Sequence, residues 1–414
     1  MSMTILIAPS GFKESLTADA ATTCIAAGIL RAMPNASILK APMVDGGEGF
    51  TAALVDLTGG TLHRLTVTGP VGEPVDSFFG FMGGQEIRTA VIEMAAAAGL
   101  RLVPRDRRNP CLTTSVGVGE LIRAALDAGA ERILLGCGDS GINDGGAGMA
   151  EALGVRFLDD RGQPLPRGGA ALRRLAAIDL SGIDPRLAGV RIDAAVNWHN
   201  MLLGPKGVAR VFGPQKGATP DQVEELAAAM EVYAAAIGRA TGMKVGTAPG
   251  AGASGGLGAA VLGLLSGHLH PRYEIVMRYL DLDRLINRAD LVITAEGSLD
   301  GQTPYGKVPA EVARRAKLRG LPVIALAGTI GKGVRLNFEH GIDAFASILK
   351  RPCSLDEAIE NAEKLLTRAA EDAVRMVSVG IGLARMRRKG MRIAAHRSSY
   401  CDVATASGSS RSTA

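Results

Sequence analysis

Short apolar runs alternate with segments of helical periodicity along almost the whole chain, which restricts the fold to the α/β class. Residues 4–8 read as a buried strand closed by Pro9, residues 16–33 as a helix stopped by Pro34, and residues 37–41 as the next strand. Asp45-Gly-Gly-Glu-Gly49 follows as a loop and residues 50–57 as a helix. The middle breaks this rhythm. Residues 62–81 are rich in β-branched and aromatic side chains interrupted by Gly69-Pro70 and Gly72-Glu73-Pro74, the pattern of an antiparallel hairpin. Strands at 132–136 and 190–196 and helices near 115–128 and 220–240 follow. From about Ala289 the strand–helix rhythm returns through residues 291–294, 308–319, 323–327 and 355–375. The pattern predicts a Rossmann-like parallel-sheet domain built from both chain ends (residues 1–65 and 275–384). A second, mixed α/β domain (66–274) is inserted, and a basic disordered tail (385–414) ends the chain.

Charge and cysteine usage exclude several function classes. The net charge is +5, but residues 381–414 hold seven Arg/Lys against one Asp, so the rest of the chain carries about −1. A near-neutral body gives no reason to expect nucleic acid as a partner. The five cysteines (Cys24, Cys111, Cys137, Cys353 and Cys401) are scattered without paired spacing. They read as reduced thiols of a cytoplasmic protein, not a disulfide frame or zinc site. No 18-residue apolar run and no secretory signal pattern occur, so no membrane association is expected. Glycine, at 54 of 414 residues, is about twice its usual share and sits in clusters between apolar runs.

Those clusters suit phosphoryl transfer, which needs donors for phosphate oxygens, carboxylates for Mg2+ or a hydroxyl, and a cation for developing charge. Gly136-Cys-Gly-Asp-Ser-Gly-Ile-Asn-Asp-Gly-Gly-Ala-Gly148 follows a strand and opens a helix, offering Gly138, Asp139, Ser140, Asn143, Asp144 and Gly145. Pro249-Gly-Ala-Gly-Ala-Ser-Gly-Gly-Leu-Gly258 offers Gly252, Ser254 and Gly255, without the Gly-Lys-Ser/Thr of a Walker A loop. The acidic loop supplies Asp45 and Glu48, candidates for metal binding or hydroxyl activation. Residues 294–307 supply Glu296, Asp300, Thr303 and Lys307. Lys13 and Lys216 are the cations that could meet a substrate carboxylate or phosphate. His268 and His270 lack a third donor and read as solvated surface. His199 adjoins the single Trp, and core packing explains it as well as catalysis does.

In this order, the loops resemble the glycerate kinase family unrelated to P-loop kinases. The resemblance runs from Ile5 to about Ala384 and includes Ala8-Pro-Ser-Gly-Phe-Lys-Glu-Ser-Leu16, Val44-Asp-Gly-Gly-Glu-Gly49, Ile92-Glu-Met-Ala95, Asn143-Asp-Gly-Gly-Ala-Gly148, Phe212-Gly-Pro-Gln-Lys-Gly217, Pro249-Gly-Ala-Gly252 and Gly306-Lys-Val-Pro309. It implies two α/β domains with the active site between them, ATP with Mg2+ as cofactors, and phosphorylation of D-glycerate, usually at the 2-position. The chain departs from the family pattern inside these loops. Ser10 and Gly11 replace Asp-Ser, Asn197 replaces an Asp, Asp139 enters a Gly-Gly-Ser-Ala-Thr-Asn-Asp loop, and Ala295 and Ser298 replace Gly and Arg. These changes point to a variant subgroup with a shifted substrate or a rewired metal site.

The expectation is therefore a kinase for a small hydroxy acid, with Asp144, Asp45 and Lys13 catalytic, Asp45 and Glu48 on the metal, and a possible homodimer. A related sugar acid, a nicotinamide-dependent hydroxypyruvate reductase and a non-catalytic sugar-acid sensor are the alternatives. The absence of Gly-x-Gly-x-x-Gly after the first strand counts against the reductase.

Overall fold

The computed structural model describes residues 3–12, 15–44, 46–305 and 307–406, the side chains of 388–406 excepted. Thirteen strands occur among the described residues: β1 Thr4–Ile7, β2 Ser37–Lys40, β3 Thr61–Thr68, β4 Pro74–Phe81, β5 Thr89–Glu93, β6 Arg132–Gly136, β7 Arg156–Leu158, β8 Ala177–Asp179, β9 Arg191–Val196, β10 His268–Pro271, β11 Leu291–Leu299, β12 Val323–Ile330 and β13 Ala344–Ser347.

The first two and last three strands form one five-stranded sheet, ordered β13-β12-β11-β1-β2 and parallel throughout. Ile5, Leu6 and Ile7 are buried on both faces, as a covered parallel sheet requires. Helix Ala18–Ala32 and the start of helix Ala362–Ala406 cover one face through Ile25, Ile29, Leu366 and Ala370. Helix Val308–Lys317 covers the other through Val308, Val312 and Ala316. Thr17 caps the first of these helices by accepting the Ala20 N–H at 3.1 Å. This is the expected Rossmann-like sheet built from both chain ends.

The intervening chain forms a six-stranded sheet, ordered β10-β9-β6-β5-β4-β3, with β3, β4 and β5 antiparallel and the other pairs parallel. Strands β7 and β8 make a separate antiparallel pair. Aromatics are scarce, so Ala, Leu, Ile and Val fill this core, with Tyr233 its largest wholly buried side chain. The expected division at residue 65 falls inside β3. Helix Phe50–Thr58, before it, lies on the six-stranded sheet, where Phe50 and Leu54 meet Val91, Leu134 and Ala195. Helix Arg272–Tyr279 spans the other expected division: Ile275 and Val276 join that same cluster while Met277 joins the core of the five-stranded sheet.

Helix Ala362–Ala406 runs on past Arg385 into the segment expected to be a disordered tail; residues 407–414 lie outside the described residues. No helix among the described residues is long and apolar enough to cross a membrane.

Candidate active site

Two polar groups form at the carboxyl ends of the sheets. The first gathers around the loop after β6. Lys216 is almost wholly buried, and its Nζ donates to Ser140 Oγ at 2.9 Å and to the Ile142 carbonyl at 2.6 Å. Burial pushes its pKa down to about 7, although Asp144 nearby pulls the other way. Around it lie buried polar atoms with no protein partner: both side-chain atoms of Asn143, the Tyr233 hydroxyl and the Ser254 hydroxyl. An orphaned buried donor or acceptor costs about 1–3 kcal/mol, so such a concentration marks a place built for a polar guest.

Glycines allow these loops to meet. Gly255 has φ +71°, and a Cβ there would stand 2.0 Å from the Ile142 carbonyl; one at Gly252 would stand 2.1 Å from the Met201 carbonyl. Two of the N–H groups in these loops, those of Gly145 and Gly252, are spent within the protein. Gly145 donates to the Gly255 carbonyl at 2.9 Å and Gly252 to the Asn200 carbonyl at 3.0 Å. The glycine clusters thus bring backbone against backbone. We expect Gly255→Ala to lose about 3 kcal/mol or more of stability, from left-handed strain plus overpacking, read as the shift of a urea midpoint.

Asp144 is buried at the centre of this loop. Its Oδ2 accepts from the Ser115 N–H (2.7 Å), the Ser115 hydroxyl (2.8 Å) and the Gly148 N–H (3.2 Å), and its Oδ1 from the Gly146 N–H (3.0 Å). Burial raises its pKa and these four bonds oppose the rise. A carboxylate so engaged organises the turn into the helix Ala147–Ala152 and leaves little free to take a substrate proton. Ser115, which also accepts the Met149 N–H at 2.9 Å, has no mark in the sequence beyond its place before a helix.

The second group stands on the five-stranded sheet. Glu296, in the carboxyl-terminal half of β11, and Ser10, three residues past β1, lie beyond the last β1–β11 pair, where the strand order reverses, the place open α/β sheets bind ligands. The Ser10 N–H donates to the Ala295 carbonyl at 2.8 Å. Glu296 is largely buried. Its Oε1 accepts from Thr303 Oγ1 at 2.8 Å, and its Oε2 is 3.9 Å from Lys307 Nζ. Burial lifts its pKa to about 7 against the Thr303 bond and the Lys307 charge. Lys307 is itself held by Asp300, at 3.2 and 3.3 Å, and by the Ser298 carbonyl at 3.0 Å.

The chain between β2 and the helix Phe50–Thr58 joins the two sheets' edges. The Met43 N–H donates to the Pro9 carbonyl just past β1 at 2.8 Å. Three residues on, Gly46 packs against the Cys137 N–H and the Ala195 carbonyl at the ends of β6 and β9. Three residues reach at most about 11 Å, so the carboxyl edges of the sheets share one seam.

The structure brings Gly138, Asp139, Ser140, Asn143, Asp144, Gly145, Lys216, Gly252, Ser254 and Gly255 into the first group, and Glu296, Asp300 and Lys307 into the second. Lys13 and Asp45, expected to be catalytic, lie outside the described residues. Glu48 is exposed and its Oε1 is engaged by Arg101 Nε at 3.0 Å. Among the described residues, no group of three His, Cys, Asp or Glu could hold a metal ion. Glu93 accepts the Gly49 and Thr51 N–H groups at 3.3 and 2.8 Å, anchoring the acidic loop's helix. His270, expected to be solvated, instead bonds Asp193 at 2.7 Å, whereas His199 and Trp198 are exposed and take no part in a core. Tyr233 could not be singled out from its sequence, where it occupies an ordinary apolar position of helix Pro220–Thr241.

The sheets and their shared seam define a two-sheet α/β protein with polar residues grouped towards the strands' carboxyl ends. Comparison with known proteins makes this specific. The sequence model of the glycerate kinase family matches residues 5–378. The chain is 49% identical to a glycerate kinase of Bacillus subtilis over 370 residues, 89% of this chain and 96% of the relative. It is 43% identical to the glycerate 2-kinase of Escherichia coli K12 over 379 residues, 92% of this chain and 99% of the relative. A crystal structure from Salmonella typhimurium LT2, of a protein assigned as glycerate kinase 2, superposes with a TM-score of 0.81 at 44% identity, covering 92% of this chain and 100% of that one. The chain belongs to the glycerate kinase family and is a kinase.

Proposed function

We propose that the protein transfers the γ-phosphoryl group of ATP to a hydroxyl of D-glycerate, giving 2-phosphoglycerate and ADP. The buried Lys216 among the orphaned Asn143, Ser254 and Tyr233 groups carries this reading. An ammonium with an N–H to spare, an amide and two hydroxyls are the partners that a small hydroxy acid's carboxylate and hydroxyl would satisfy.

Glu296 is the proton acceptor in this reading. A pKa near 7 suits general-base work, and one of its oxygens takes no hydrogen bond from Thr303, in contrast to Asp144. The substrate hydroxyl oxygen bonds to the γ-phosphorus as the bond between that phosphorus and the β–γ bridging oxygen breaks. ADP leaves with the bridging oxygen, and the hydroxyl proton passes to Glu296. The acidic loop's Asp45 and Glu48 are the residues that would hold Mg2+, which needs only one or two protein carboxylates and, when bound, would neutralise phosphate charge.

The test is ADP release with Mg-ATP across a panel of hydroxy acids, with the product's phosphate position read by NMR. Turnover on D-glycerate with phosphate at the 2-position is the expected result. Turnover confined to another acid would reassign the substrate to the changed residues Ser10, Asn197 and Ser298. Stabilisation by an acid without ADP release would replace the kinase reading with a binding protein.

A further inference from the structure

Among the described residues, four other than glycine have positive φ, and two of them, Asp139 and Ser254, border the buried polar group. Asp139 sits at φ +51°. Asp tolerates this region better than most residues, yet it is still strained there, and strain of this kind concentrates where a conformation is needed. The side chain shows the need. Asp139 Oδ2 accepts the Glu48 N–H at 2.9 Å, across 91 residues of sequence, and its carbonyl accepts the Leu100 N–H at 2.8 Å. Glu48 in turn pairs with Arg101, next to Leu100. Beneath this contact, Gly138 lies so close to Gly47 that a Cβ would come within 2.6 Å of its Cα. The next residue, Ser140, accepts from Lys216 Nζ.

We propose that Asp139 is a positioning residue, a latch that fixes the Gly46–Gly49 loop against the Lys216 pocket so that both address one substrate. It acts by accepting a backbone N–H, so its charge need not touch metal or phosphate. The kinetic part of this inference rests on the kinase reading above; the structural part does not.

Two variants of the full chain test it. Asp139→Gly relieves the backbone strain and deletes the acceptor; Asp139→Asn keeps an acceptor and a residue that tolerates positive φ. In ligand-free protein, hydrogen exchange at the Glu48 amide should quicken about tenfold or more in Asp139→Gly and stay near wild type in Asp139→Asn. The glycine variant should keep or raise its Tm while kcat/KM for the acid falls on the order of 10–100-fold, with Asp139→Asn restoring it to within about threefold. Unchanged exchange and kinetics in Asp139→Gly would overturn the latch, as would a loss of activity that tracks a loss of Tm and is not rescued by Asn. Quickened Glu48 exchange in a protein inactive on every acid would uphold the latch and overturn the kinase reading instead.

Discussion

Replacing Lys216 with methionine should lower kcat/KM for the acid by about 10²–10³-fold, or roughly 3–4 kcal/mol. That is the usual cost of removing one member of a buried, charge-assisted contact. Methionine fills the cavity but cannot donate to Ser140, to the Ile142 carbonyl or to a bound carboxylate. The pH profile separates this from simple damage. Lys216 loses its proton near pH 7 in the free enzyme, so kcat/KM for wild type should fall as pH rises through that value, and the variant should lack this limb. Stability should move the other way. The unfolded lysine keeps its proton to about 10.5, so between about 7 and 10.5 the folded chain binds fewer protons and gains stability with rising pH. Relative to wild type, Lys216→Met should therefore look most stable below pH 7 and lose that advantage towards pH 10. An unchanged kcat/KM would remove Lys216 from the substrate site.

Glu296→Gln should lower kcat by about 10²–10⁴-fold with little change in KM, the signature of a lost proton acceptor. Thr303 can still donate to the glutamine's Oε1, so the local fold should survive. Wild-type activity should rise through pH 7 as Glu296 ionises, and the glutamine enzyme should not show this rise. With the Lys216 limb, the wild-type profile becomes a bell centred near 7, and each variant removes one side. For stability, a carboxylate whose pKa is raised from 4.5 to about 7 binds a proton in the fold that the unfolded chain has already lost. Stability contributed by the protonated form is present below 4.5 and lost between 4.5 and 7. Glu296→Gln should thus gain on wild type across that window and hold the gain above it. A variant with full kcat would end the assignment.

The fold was legible because its signal is local. Apolar runs such as Ile5-Leu6-Ile7 and Ile133-Leu134-Leu135 mark covered parallel strands wherever they fall, and Gly69-Pro70 and Gly72 mark the hairpin directly. The candidate site was legible in residue type and not in role. Asp144 and Gly145 were picked out for phosphate chemistry by composition, but only the fold reveals that the carboxylate is consumed by Ser115, Gly146 and Gly148. Asp139 read as one of the changes pointing to a shifted substrate or a rewired metal site, and proves to be a hydrogen-bond acceptor for a loop 91 residues away. Tyr233 and Ser115 were invisible because their importance lies in what tertiary packing sets beside them. Burial, which moves Lys216 and Glu296 towards neutrality, is likewise a property of the assembled core.

The five-stranded sheet is made from strands at opposite ends of the chain, and this governs the order in which a ribosome can release a finished molecule. Strand β1 is made long before its neighbour β11, which begins at Leu291, and the sheet closes only with Ser347. The six-stranded sheet has all its strands once Pro271 is out. At about 5–20 residues per second, β1 and β2 wait roughly 4–15 s beyond that point for the last of their sheet. During that interval the nascent chain carries the six strands of one sheet and, in β1, an apolar strand whose β11 neighbour has not yet been made, which is when aggregation and chaperone capture should be most probable.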